Sequence, residues 1–219
     1  MRRDKILRRF GLGLLLVLVS PFVLYAVQFG WRGLTRDLSA ETYLWVPGQL
    51  DVTRGLMVHM IAGGLITLFI PVQAALGAWG QVPHLHRWTG RVLVPLALIT
   101  AAGGLAFIAY VGTIGGRLMD VGFTLYGALM LLCALKLWQR ATEKNWTAHS
   151  EWAMRLVVLA LASWIYRVHY GLWYLLTDGW GSEPDFSGLF DQVQVFAFYV
   201  PYLLVLELWL RRRRLLRAA

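Results

Sequence analysis

The chain has 219 residues, 58% of them hydrophobic and 15% charged, with a mean hydropathy of +0.56. A soluble domain of this length needs a charged surface that such a composition does not supply, so the chain reads as an integral membrane protein. The net charge of +9 then calls for no nucleic acid, because a basic excess on a membrane protein is topology and contact with anionic lipid at the cytoplasmic rim.

Six apolar runs reach the length of about 20 residues that a bilayer-crossing helix requires: 10–29, 56–79, 92–111, 118–138, 152–176 and 193–210. They are continuous and rich in Leu, Ala and Val rather than alternating. The predicted fold is therefore an all-α integral membrane protein with six transmembrane helices, one polytopic domain over residues 1–219. No small-residue cleavage site follows the first run, which is read as a retained helix rather than a secretory leader.

Basic residues gather at the amino end, in the second and fourth connections and in the tail (Arg211 to Arg214), while the other side carries most of the acids. That asymmetry predicts cytoplasmic N and C termini. The longest outer loop, 32–55, holds Pro47-Gly48, an expected turn, and a further outer loop, 177–191, is rich in glycine and devoid of cations. Cys133 is the only cysteine. It reads as a small apolar core residue.

Two stretches echo each other at the start of the third and fifth helices: His86-Arg87-Trp88-Thr89-Gly90-Arg91 and His149-Ser150-Glu151-Trp152-Ala153-Met154-Arg155. Each sets a histidine and a Trp-x-x-Arg pair at the mouth of an apolar run, where charge is retained when it pairs or binds something. The echo suggests that helices two and three are a distant copy of helices four and five. A central four-helix bundle of helices 2–5 with pseudo-twofold symmetry follows, helices one and six lying outside.

Helix two carries His59 and, about four turns on, Gln73; helix five, running the opposite way, carries Arg155 and His169 at the same spacing. Side by side, these helices would set His59 level with His169 and Gln73 level with Arg155. Two imidazoles at one depth are the ligand set of a membrane haem, so His59 and His169 form a candidate iron pair for haem b. Interfacial histidines that hydrogen-bond a neighbouring carbonyl are the competing explanation. Arg167 needs an acceptor in the outer half, with Asp120 and Asp191 as candidates, and Glu207 can pair with Arg155.

Taken together, His59, Pro71-Val72-Gln73, the two echoing stretches and Trp164-Ile165-Tyr166-Arg167 resemble the bacterial predicted membrane proteins grouped as domain of unknown function 2306, over helices two to six. The resemblance implies a multi-pass protein of the bacterial inner (plasma) membrane with no established activity. It favours His59, Gln73, His86, Arg91, His149, Arg155 and Arg167 as a shared site, with Trp152 beside them, and leaves His169 outside the pattern.

Two functional readings follow. In the first, a quinone, haem b or anionic amphiphile is held among helices 2–5 by those residues, in a ligand-binding or redox protein. In the second, the chain is a non-catalytic subunit or lipid-contacting scaffold, with other membrane proteins or a second copy as partners. Small-solute transport has weaker support, since no pair of broken half-helices is evident. The sequence contains no P-loop, nucleophile elbow or His-Glu-x-x-His, and assigns no enzymatic reaction.

Overall fold

In a computed structural model, residues 2–80 and 82–218 are described, with side chains for 6–80 and 82–216. Arg2, Arg3, Lys5 and Arg217, which contribute to the expected orientation, lie outside the described side chains. Among the described residues there are seven α-helices and no strand: α1 Arg2–Thr35, α2 Leu50–Trp79, α3 Pro83–Tyr110, α4 Gly116–Thr142, α5 Trp146–Thr177, α6 Leu189–Ala197 and α7 Val200–Ala218. They supply six segments long and apolar enough to cross a membrane. All six expected runs are helical over most of their length.

Each helix outruns its apolar run, because hydropathy marks only what hydrocarbon covers while backbone hydrogen bonding continues until a cap ends it. At α2 the cap is Gly80, left-handed at φ 64°, whose N–H reaches the Leu76 carbonyl. At the start of α5 it is Asn145, whose side chain accepts the Ala148 N–H. The echoing stretches, expected at the start of the third and fifth helices, lie in the opening turns of α3 and α5.

The sixth run is one span but two helices, since Phe198 and Tyr199 interrupt it just before Pro201. Proline has no N–H for the carbonyl four residues earlier and disfavours helical geometry in the residue before it. The break turns Phe198 and Tyr199 fully inward, both 0% exposed.

The chain divides into two compact units, one up to Phe107 and one from Ile108. In the first, α1 packs on α2 through Gly30, where an added Cβ would stand 2.6 Å from the Met57 carbonyl oxygen. Only a residue without a side chain permits that approach. The loop before α2 turns at Pro47-Gly48 as expected, with Gly48 at φ 80° and Gln49 N–H donating to the Val46 carbonyl. Buried Thr53 accepts the Val46 N–H and so ties the loop to α2.

In the second unit α4 packs on α5 around Met130, Cys133, Ala134, Leu156, Leu159 and Ala160, all buried. The Tyr126 hydroxyl donates to the Leu159 carbonyl at 2.7 Å, and that of Tyr199 to the Gly122 carbonyl at 3.0 Å. Each phenol satisfies its polar end on backbone while its ring fills the core.

Candidate functional site

In the α2–α3 hairpin, His59 Nδ1 lies 2.5 Å from the Thr100 carbonyl oxygen. A carbonyl only accepts, so Nδ1 carries the proton. The ring fits because Gly103 and Gly104 face it: a Cβ on Gly103 would come within 2.9 Å of the His59 Cβ and 3.0 Å of the Gly55 carbonyl oxygen. Gly103→Val is accordingly expected to destabilise the protein by about 1–3 kcal/mol through overpacking. Thermal melts in detergent check this, and an unchanged midpoint would remove the close approach.

One end of the hairpin is knotted by Gln73 and His86. Gln73 Nε2 donates to the His86 carbonyl at 2.6 Å, Thr89 Oγ1 donates to Gln73 Oε1, and His86 Nδ1 donates to the Gln73 carbonyl at 3.2 Å. Gly77 leaves room for the imidazole and Gly90 for the amide. Two sequence fragments thirteen residues apart thus form one hydrogen-bonded clasp.

The α4–α5 hairpin repeats its outline. His149 Nδ1 donates to the Leu137 carbonyl at 3.2 Å, and like His86 it is the fourth residue of its helix. In each hairpin the arginine stacks over the indole one turn back, Arg91 at 4.9 Å from the Trp88 ring and Arg155 at 4.5 Å from that of Trp152. The hairpins differ in what meets the arginine's charge. Arg155 makes a two-point ion pair with Glu207 of α7, Nη2 to Oε2 being 2.9 Å, as the sequence anticipated. Among the described residues Arg91 has only the indole.

Arg167 donates to the Ser163 carbonyl on its own helix at 2.9 Å. Of the acids anticipated for it, Asp120 accepts from the N–H and hydroxyl of Thr113, both at 2.7 Å. Asp191, fully buried, accepts from Tyr170 Oη at 2.6 Å, Ser182 Oγ at 2.8 Å, and the N–H groups of Glu183 and Gly188 at 2.8 and 3.1 Å. Sequence reasoning missed this role. Its only signal was an acid closing a cation-free loop.

His169 has both ring nitrogens engaged, Nδ1 with the Gln194 amide at 2.9 Å and Nε2 with Tyr202 Oη at 2.8 Å. Outside the spans, hydrogen bonds from Ser187 hold the Asp185 carboxyl below its usual range, and Arg140 does the same for Glu143.

Within the first unit, then, Gln73 meets His86, His59 meets α3 at Thr100, and Arg91 meets Trp88. Within the second, Arg155 meets Trp152 and Glu207, while His149, Arg167 and His169 hold separate partners. Among the described residues no three His, Cys, Asp or Glu side chains group as a metal site. No curated protein and no solved structure matches the chain. The family model for the predicted membrane proteins of domain of unknown function 2306 matches residues 56–210, taking in both hairpins and the Glu207 ion pair, and the chain belongs to that family.

Proposed function

We propose that this protein is a non-catalytic membrane scaffold, a lipid-embedded subunit whose polar intramembrane residues fasten one helix to the next. The observation that carries this reading is that His59, His86 and His149 each donate Nδ1–H to a backbone carbonyl of the preceding or following helix. A hydrogen bond of this kind between membrane helices contributes about 1 kcal/mol, enough to fix register when several act together. The similar clasps of α2–α3 and α4–α5 support reading the two hairpins as copies of one unit.

A second reading draws on the same hydrogen bonds. An imidazole with Nδ1–H on a carbonyl has the tautomer and fixed ring that an iron-ligating histidine uses, with Nε2 as the acceptor nitrogen. For His169 that chemistry would require displacing Tyr202 or Gln194, which weighs against the His59–His169 pair. The absorption spectrum of the purified protein separates the readings. The scaffold is expected to show only aromatic absorption, and His86→Asn, which keeps a donor near Gln73, to fold and melt like the parent. A reduced-minus-oxidised haem band that His86→Asn or His59→Asn abolishes would overturn the scaffold reading.

In this reading both termini face the cytoplasm of a bacterial inner membrane. Reporter fusions at Gln49 and Trp146 are expected to place the first outside and the second inside. A cytoplasmic Gln49 would invert the orientation.

A further inference from the structure

The first turns of α3 carry four side chains that neither the helix clasps nor the core uses. His84, Arg87, Trp88 and Arg91 are all exposed. At spacings of three and four residues they occupy one face of the helix. Trp88 Nε1–H donates to His84 Nε2 at 3.0 Å, which leaves the His84 proton on Nδ1, and Arg91 lies over the Trp88 ring. Arg87 and Arg91 stand one turn apart as like charges. Among the described residues neither has an acid in ion-pair reach, whereas the equivalent arginine of the other hairpin, Arg155, is neutralised by Glu207.

Below this cluster α3 continues as an exposed apolar stripe, Val92, Pro95 and Ile99. Three donors and an indole platform at the head of an apolar stripe on a membrane-crossing helix match an amphiphile: phosphate against the guanidiniums, acyl chain along the stripe. We propose that His84, Arg87, Trp88 and Arg91 form a binding site for the phosphate headgroup of an anionic lipid. The site stands independently of the scaffold reading, because none of its four side chains takes part in the clasps.

The test uses the full chain in vesicles of phosphatidylcholine containing a minority of phosphatidylglycerol, with either lipid brominated on its acyl chains. Trp88 fluorescence is taken as the difference between the parent and Trp88→Phe. Brominated phosphatidylglycerol is expected to quench Trp88 beyond its share of the bilayer, with each arginine contributing about a fivefold preference, the equivalent of ~1 kcal/mol for a basic side chain at an anionic surface. Arg87→Gln with Arg91→Gln should bring quenching to the level of brominated phosphatidylcholine, while Arg211→Gln with Arg212→Gln should leave the excess intact. If the first pair does not fold, Arg87→Gln alone reads the same excess. Equal quenching by both lipids in the parent, or an equal loss from the Arg211 and Arg212 changes, would overturn the site. Complete displacement by millimolar inorganic phosphate would show a soluble-anion site instead and overturn its assignment to lipid.

Discussion

Glu207→Leu is expected to be among the most damaging single changes in the chain, and adding Arg155→Leu to it is expected to restore much of what it loses. Arg155 is 12% exposed and holds Glu207 at two points while lying over Trp152. Removing the acid leaves a guanidinium in a low-dielectric place where, among the described residues, an aromatic face is what remains to meet its charge. Breaking a fully buried pair costs about 3–5 kcal/mol, and because Glu207 is itself 35% exposed the loss here should be nearer 2–3 kcal/mol. Replacing both partners by leucine removes charge and counter-charge together, and in the span of a membrane protein two leucines are well accommodated. Unfolding in mixed micelles measures both variants. A double variant as unstable as Glu207→Leu alone would mean that the ion pair is not what Glu207 contributes.

This pair also shows what sequence reading can reach. Arg155 and Glu207 are the charged residues that two apolar runs would bring to similar depth, and charge inside hydrocarbon must find a partner, so the match follows from topology alone. The six spans were legible for the same reason, since hydrocarbon thickness fixes both length and composition. The clasp of Gln73 with His86 was not. It depends on α3 beginning at Pro83, well before its apolar run, and on Gly77 and Gly90 giving room, neither of which hydropathy records. The division of the sixth span was readable in principle from Pro201, but a proline inside an apolar run is common enough in membranes to pass as a kink. Asp191 was read only as a candidate acceptor for Arg167, and nothing in the sequence marks the donors that reach it. The glycine-rich loop before it instead folds back and surrounds that carboxylate with donors.

The consequence is an ordered set of effects at Asp191. Its carboxylate sits at the third position of α6, fully buried, with two hydroxyl donors on one oxygen and two backbone N–H donors on the other. In Asp191→Ala all four donors lose their acceptor. With about 1–3 kcal/mol for each buried group left unpaired, and some recovered by water entering from the loop, the total should be roughly 3–5 kcal/mol. Asp191→Asn is expected to cost much less, because its oxygen can keep the N–H groups of Glu183 and Gly188 while its NH2 turns toward Tyr170 and Ser182. Hydroxyls rotate and can accept where they had donated; backbone N–H groups cannot. The loss should be local as well as global, since these bonds are what hold the loop between α5 and α6 against the helix ends. Limited proteolysis is therefore expected to cut Asp191→Ala within residues 179–188 under conditions that leave Asp191→Asn and the parent intact. Equal melting of the two variants would show that charge, rather than the placement of four donors, is what the site requires.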